Sequence, residues 1–349
     1  MNKIKHIDGF YEKENDGIRD FYWMENVATI EVDVNTINIL IIPVGSVHEN
    51  TTIKIGDKFF NIIKGWQILE INVDENYKKS NKIKFSCTAN VDTKGLDSRN
   101  LSLMIGNIEC LNDINEIYEE KKAIVDNIEL LYVKNKFSTE KSQDMIIKEL
   151  QENDYELESI NFTNDDIVID IGAHMGLFSI YLAKKYPFLQ IISLEPIPDN
   201  YRILQRNVEI NNVVDRVHAL NMAVTGDRRN VEICVAVGDN SGGASACLSN
   251  LHLTGHRVYN IPSLTLEDIF NKYNIIKCKL LKIDCEGSEY DILEKSKLDL
   301  LKNIEFIRGE FHINSYLQRQ GYDVKKLVDY LKNAIPGKNI KYVYCKMHE

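Results

Sequence analysis

The stretch IVIDIGAHMGLFSIYLAKKYP, residues 167–187, decides the fold. An apolar, β-branched run ends around Asp170. Gly172 and Gly176 then stand at the entry to GLFSIYLAKKYP, which reads as a helix. Glycines in that turn allow the backbone to bend sharply and a ligand to approach it closely. A dinucleotide fingerprint would need glycines where this chain has His174 and Leu177, so a pyrophosphate cannot settle on the helix N-terminus. The D-x-G-x-x-x-G form suits a nucleoside without phosphates, whose aliphatic, cationic part lies over the turn.

From this turn outward, strands and helices alternate. QIISLE (190–195), VHALNMAV (217–224), KCKLLKID (277–284), IEFIRGEFH (304–312) and KNIKYVYCK (338–346) read as strands. PDNYRILQRNVEINN (198–212), LTLEDIFNKY (264–273), EYDILEKSKLDLL (289–301) and VKKLVDYLKN (324–333) read as helices, and NVEICVAVG (230–238) as an inserted strand. Such alternation predicts an α/β domain with a doubly wound, Rossmann-like parallel sheet. Ligands in such sheets bind at the C-terminal strand ends, where the strand order reverses. The second strand ends in Leu194, Glu195 and Pro196, and an acid there accepts hydrogen bonds from ribose hydroxyls. Asn221 and Ala223, ending the third strand, are placed to meet the base edge.

Upstream, ATIEVDV, INILIIPV, TTIKIG, WQILEINV, IKFSCTANV and LSLMIG, between residues 28 and 106, are rich in Ile, Val and Thr and several alternate apolar with polar residues. They predict an all-β, sandwich-like domain over 1–111. NDINEIYEEKKAIVDNIELL and STEKSQDMIIKELQEND are charged and amphipathic, and predict a helical linker over 112–155, with Ser138 or Thr139 as N-cap of its second part. The α/β domain then occupies 156–349.

The formal charge of −10 comes with scattered Lys and Arg, which excludes a basic nucleic-acid stripe and favours a neutral or cationic ligand. The longest apolar run, INILIIPV, is far short of the ~20 residues of a membrane span. No signal-peptide pattern opens the chain. Seven cysteines without CxxC spacing read as free thiols in a reducing compartment, so a cytoplasmic location is expected.

Three motifs, IVIDIGAHMGLFSIYLAKKYP, SLEPIPDNYRILQRNVEINN and LLKIDCEGSEYDIL, resemble in order and spacing those of the FkbM-like family of S-adenosylmethionine-dependent, class I methyltransferases, over roughly residues 140–330. The resemblance implies S-adenosylmethionine as cofactor and methyl transfer to an oxygen, most often of a sugar or natural product. Residue by residue, it assigns Asp170, Gly172, Ala173 and Gly176 to the cofactor turn, Glu195 to the ribose, and Asn200 and Asn207 to the following helix. Lys282, Asp284, Glu286, Gly287 and Glu289 match its K-x-D-x-E-G-x-E. His174 stands where asparagine is commoner, and keeps a polar side chain at the turn. The β-rich segment resembles accessory domains found beside enzymes of cell-surface glycan assembly, and a domain that only stabilises or dimerises the enzyme is an equal alternative.

A sugar hydroxyl is a poor nucleophile and needs a group to position it and take its proton. Asp284 at the end of the fourth strand, with Glu310 and His312 at the end of the fifth, are the catalytic candidates. Asp284, Glu286 and Glu310 are also ligand types for a hard divalent ion, although no metal is expected. Glu289 and Asp291 read as first-turn helix acids, and Cys285 as a small residue turned away from Asp284. I-D-C-E in place of N/D-P-P-Y/F argues against N-methylation of bases or amides. The polar segment 238–257 reads as a substrate loop. Within it Ser245, His256 and Arg257, together with Glu286, are the acceptor-binding candidates. The predicted function is O-methylation of a small-molecule or glycan acceptor. Alternatives are a lipid, small natural product or carboxylate acceptor, or a glycan-binding protein with an inactive domain. Sequence leaves the oligomeric state open.

Overall fold

A computed structural model describes residues 4–17, 20–32, 37–47, 51–62, 65–73, 82–87, 99, 101–111, 114–136, 142–236, 245–246 and 256–346. They divide into two compact units, one of residues 1–119, 135–138 and 252–256, the other of 120–134, 139–251 and 257–349.

In the first unit the strands Ile4–Asn15, Asp20–Val32, Ile39–Ser46, Thr51–Ile55, Lys58–Ile62, Gly65–Asn72, Lys82–Cys87, Met104–Gly106 and Glu109–Leu111 join one nine-stranded sheet whose pairings are antiparallel. Alternating residues such as Ile53 and Ile55, or Ile83 and Phe85, point into one buried face with Met24, Ile42 and Ile105. The β-rich expectation therefore holds.

The helical linker does not form as expected. Within 112–155 the strands Tyr118–Val125 and Ile128–Asn135 pair as a hairpin, and among the described residues only Ser142–Glu152 (α1) is α-helical. The hairpin turns on Asp126 and Asn127, both left-handed at φ 48° and 63°. That is the geometry of a two-residue primed turn, whose twist suits paired strands. Asn207 accepts from the Val133 amide at 2.8 Å, and Asn211 exchanges hydrogen bonds with both backbone groups of Leu131. Helix side chains thus satisfy the hairpin's edge.

The second unit is built on strands β1 (Ile167–Ile171), β2 (Gln190–Leu194), β3 (Val217–Leu220), β4 (Cys278–Ile283), β5 (Ile304–Ile313) and β6 (Ile340–Lys346). They form one parallel sheet in the order β3-β2-β1-β4-β5-β6. Helices α2 (Leu177–Lys185), α3 (Pro198–Ile210), α4 (Leu266–Lys272), α5 (Glu289–Glu294), α6 (Leu298–Leu301), α7 (Ser315–Arg319) and α8 (Val324–Leu331) make the crossovers. All residues from Leu177 to Ala183 in α2 are buried. A helix apolar on every side needs cover on every side. The sheet supplies one cover and the hairpin, through Val125, Leu130 and Tyr132, the other. The chain proceeds from β1 outward to β3, then returns to β4 beside β1. The reversal opens a crevice beyond the ends of β1 and β4.

Candidate active site

Gly172 follows β1 with φ 75°, and a Cβ on it would lie 1.8 Å from the carbonyl oxygen of Asp284. Only glycine lets these two strand ends close against each other. The amide of His174 donates to Glu195 Oε2 at 2.8 Å, and that of Ile197 to Oε1 at 2.9 Å. Asn200 adds a longer bond at 3.4 Å. Burial pushes the Glu195 carboxyl up, and these donors oppose the rise. Oε2, with a single donor, keeps a lone pair for a hydroxyl. Asn221 donates to the carbonyls of Glu195 and Pro196, both at 2.9 Å. It clamps the acid's backbone and, placed by the sequence at the base edge, is not among the residues that line the adjoining cavity.

Beyond these strand ends lies a cavity of about 230 Å³. Gly172, Ala173, His174, Glu195, Pro196 and Asn200 line one side, with Ala223, Val231 and Ile233 as an apolar wall. Asp284, Glu286 and Glu310 line the other. Asp170 and Gly176 stand behind the wall. Asp170 is fully buried: Ser179 donates to its Oδ2 at 2.6 Å, and Lys282 Nζ stands 3.4 Å from its Oδ1. The same ammonium lies 3.6 Å from Asp284 Oδ2 and donates to the Gly172 carbonyl at 2.8 Å. Burial opposes the charge on Lys282, but the two carboxylates outweigh it and raise its pKa. Lys282, known from sequence only as part of a motif match, therefore ties both strand ends together. A legible signal existed: Lys282 and Asp170 are charged residues within apolar runs, and they are register partners on adjacent strands.

His312 sits beneath the acid side, with Nδ1 3.1 Å from Glu289 Oε1 and Nε2 3.3 Å from Glu310 Oε2. Glu286 Oε2 is 3.6 Å from Nε2. Burial works against an imidazolium, yet Glu289 and Glu310 push its pKa up to about 11. His312 is thus a buried cation that orients carboxylates, and is not free to take a proton as a base. Glu286 rises to about 7 by burial, with His312 opposing and Asp284, Glu289 and Glu310 adding to the rise. Glu289 has a larger role than a first-turn helix acid. It is fully buried, and it accepts from the amides of Cys285 at 2.9 Å and Gly287 at 3.0 Å. Those bonds staple the turn in which Glu286 is left-handed at φ 51°. Asp291 is structural as expected, paired with Lys295 and Arg229.

Asp284, Glu286 and His312 bring potential ligand atoms within 4.8 Å of one another, as do Glu310, His312 and Cys345. An imidazolium has no lone pair to offer, and we assign no ion to either group. The side chains of Ser245, His256 and Arg257 lie outside the described residues. Sequence reasoning missed Glu149 and Tyr155, which line the same cavity. No motif marks them, since they belong to the segment read as a linker.

His312 also predicts a pH dependence. Its folded pKa exceeds the ordinary 6.5, so its stabilising contribution is complete below that pH and drains away as pH climbs toward 11. Stability by urea unfolding should fall between pH 7 and 10, and His312→Gln should flatten that slope. Equal slopes in both proteins would contradict the charge assignment.

Residues 170–334 match the model of the methyltransferase FkbM domain. This stretch is similar to the FkbM methyltransferase domain. The chain is 23% identical over 201 residues to methyltransferase sdnD of Sordaria araneosa, covering 48% of this chain and 77% of that protein. It is 26% identical over 165 residues to methyltransferase 1 of Beauveria bassiana, covering 41% and 64%. A solved structure, the Methanococcus jannaschii fibrillarin pre-rRNA processing protein, aligns at 11% identity with a TM-score of 0.29 over 62% of this chain and 71% of that one. The methyl donor of the FkbM domain is S-adenosylmethionine, and the chain's own residues fit it. Gly172 and Ala173 line the cavity without bulk, Glu195 Oε2 keeps a lone pair for a ribose hydroxyl, and the wall at Val231 and Ile233 suits an apolar ring.

Proposed function

We propose that this protein is an S-adenosylmethionine-dependent O-methyltransferase that methylates a hydroxyl of a sugar or glycan precursor. The observation that supports it most directly is Asp284, a carboxylate on the cavity wall at the reversal point, held 3.6 Å from the buried Lys282 ammonium. When bound, S-adenosylmethionine supplies an electrophilic methyl on a positively charged sulfur. Asp284 orients the acceptor hydroxyl and takes its proton as the oxygen–carbon bond forms. Lys282 fixes the rotamer of that base from behind. Glu310, fixed by His312 and by the Cys345 thiol at 3.0 Å, and Glu286 accept further hydroxyl hydrogen bonds, which suits a polyol. Carboxylates are acceptors only, so a face of three favours a ligand rich in O–H donors.

Isothermal titration with S-adenosylmethionine tests the first half of this reading. Saturable binding is expected, weakened by Glu195→Ala. Absence of binding by the intact chain would overturn it.

A further inference from the structure

The acid side of the cavity carries one more carboxylate than the FkbM domain provides. Glu149 projects from α1, outside residues 170–334, and lines the cavity with Asp284, Glu286 and Glu310. It is held in place. Tyr155 donates its hydroxyl to Glu149 Oε2 at 2.9 Å, and the Tyr155 carbonyl accepts from the buried guanidinium of Arg308 at 2.8 Å. Behind these four acids stand Glu289 and Asp170, against the buried cations Lys282 and His312. Arg229, another cation on the wall, is paired with Asp227 and Asp291. Six carboxyls thus share two cations, and the field at this end of the cavity is left negative.

Resting on the S-adenosylmethionine reading above, we propose that Glu149, Asp284, Glu286 and Glu310 make the site read the charge of its cofactor. The cationic donor is held in preference to the neutral product, S-adenosylhomocysteine. Methyl transfer leaves the bonding electron pair on sulfur, so its positive charge disappears, while the acceptor's proton passes to Asp284. The attraction that held the donor is then lost in the step that finishes the reaction, and the product leaves. Coulomb interactions in a partly desolvated cavity are several times stronger than in water, so a unit change of charge is strongly felt there.

The electrostatics of the acids agree with this. Glu286 is pushed up to about 7 by burial, facing His312 and Glu310 from β5, Asp284 beyond β4 and Glu289 from α5. Burial also raises Glu149, which Tyr155 opposes, with Glu310 and Asp284 adding to the rise and Lys282 opposing it. A nearby cation favours the charged form of such groups, so an arriving sulfonium and these acids stabilise each other.

Titration calorimetry of the intact chain with S-adenosylmethionine and with S-adenosylhomocysteine tests the proposal. The donor should bind at least about tenfold more tightly than the product at pH 8, a difference of roughly 1.4 kcal/mol. The ratio should shrink in Glu149→Gln. In the unaltered chain the ratio should also shrink from pH 8 to pH 5.5, as Glu286 takes up its proton. Equal or tighter binding of the product, or a ratio unmoved by both Glu149→Gln and pH, would overturn charge reading while leaving the cofactor assignment intact. Failure of both ligands to bind would overturn the cofactor assignment itself.

Discussion

Lys282→Met is expected to destabilise the parallel-sheet unit by about 3 kcal/mol or more, the cost of stranding a buried charge. Lys282 is only 4% exposed and Asp170 is fully buried. The ammonium is 3.4 Å from Asp170 Oδ1, and Oδ1 accepts no hydrogen bond. Once the ammonium is gone, that oxygen has no compensating charge, and the Gly172 carbonyl loses its donor. Asp170→Asn added to Lys282→Met should recover much of the loss, because the stranded charge disappears with it. The helical circular dichroism signal is the suitable probe, since every described α-helix lies in this unit. Both tryptophans, Trp23 and Trp66, lie in the other. A single variant as stable as the unaltered chain would show that the pair is not what joins β1 to β4.

Asp284→Asn is the second large effect. Loss of a positioned general base costs roughly 10²–10⁴ in rate. Asparagine keeps the size of the side chain and removes the proton-accepting charge. Binding of S-adenosylmethionine should persist, weakened by no more than about tenfold, the share of one carboxylate among four. Turnover, followed as label passing from a methyl-labelled donor into a deproteinised metabolite extract, should fall a hundredfold or further. A variant that kept more than a tenth of the label transfer would move the base to Glu286 or Glu310.

Much of the sheet was legible because a buried parallel strand is apolar at nearly every position, and each acid or glycine that interrupts it must have a reason. Asp170, Gly172, Glu195 and Asp284 stood out on that ground and fall together at one edge of the sheet. The hairpin over Tyr118–Asn135 was not legible from composition. EEKK is helix-favouring on a surface, and pairing here is decided by the Asp126–Asn127 turn and by asparagines more than seventy residues away. The same lesson holds for the acids. Glu289 and Glu286 look alike in sequence, yet one staples a turn while the other faces the cavity. Their difference is set by the left-handed backbone at Glu286. Glu149 comes to the cavity because Arg308 anchors the segment after α1, a long-range contact that no local pattern announces.

The destination of the methyl group separates an O-methyltransferase from every other reading. The intact chain should be incubated with S-adenosylmethionine carrying a deuterated methyl, together with a pool of sugar nucleotides and glycan precursors, and the products fragmented in a mass spectrometer. The deuterated methyl is expected on a sugar oxygen, with none transferred by Asp284→Asn. Label found on nitrogen or carbon, or transferred equally by that variant, would contradict the O-methyltransferase reading.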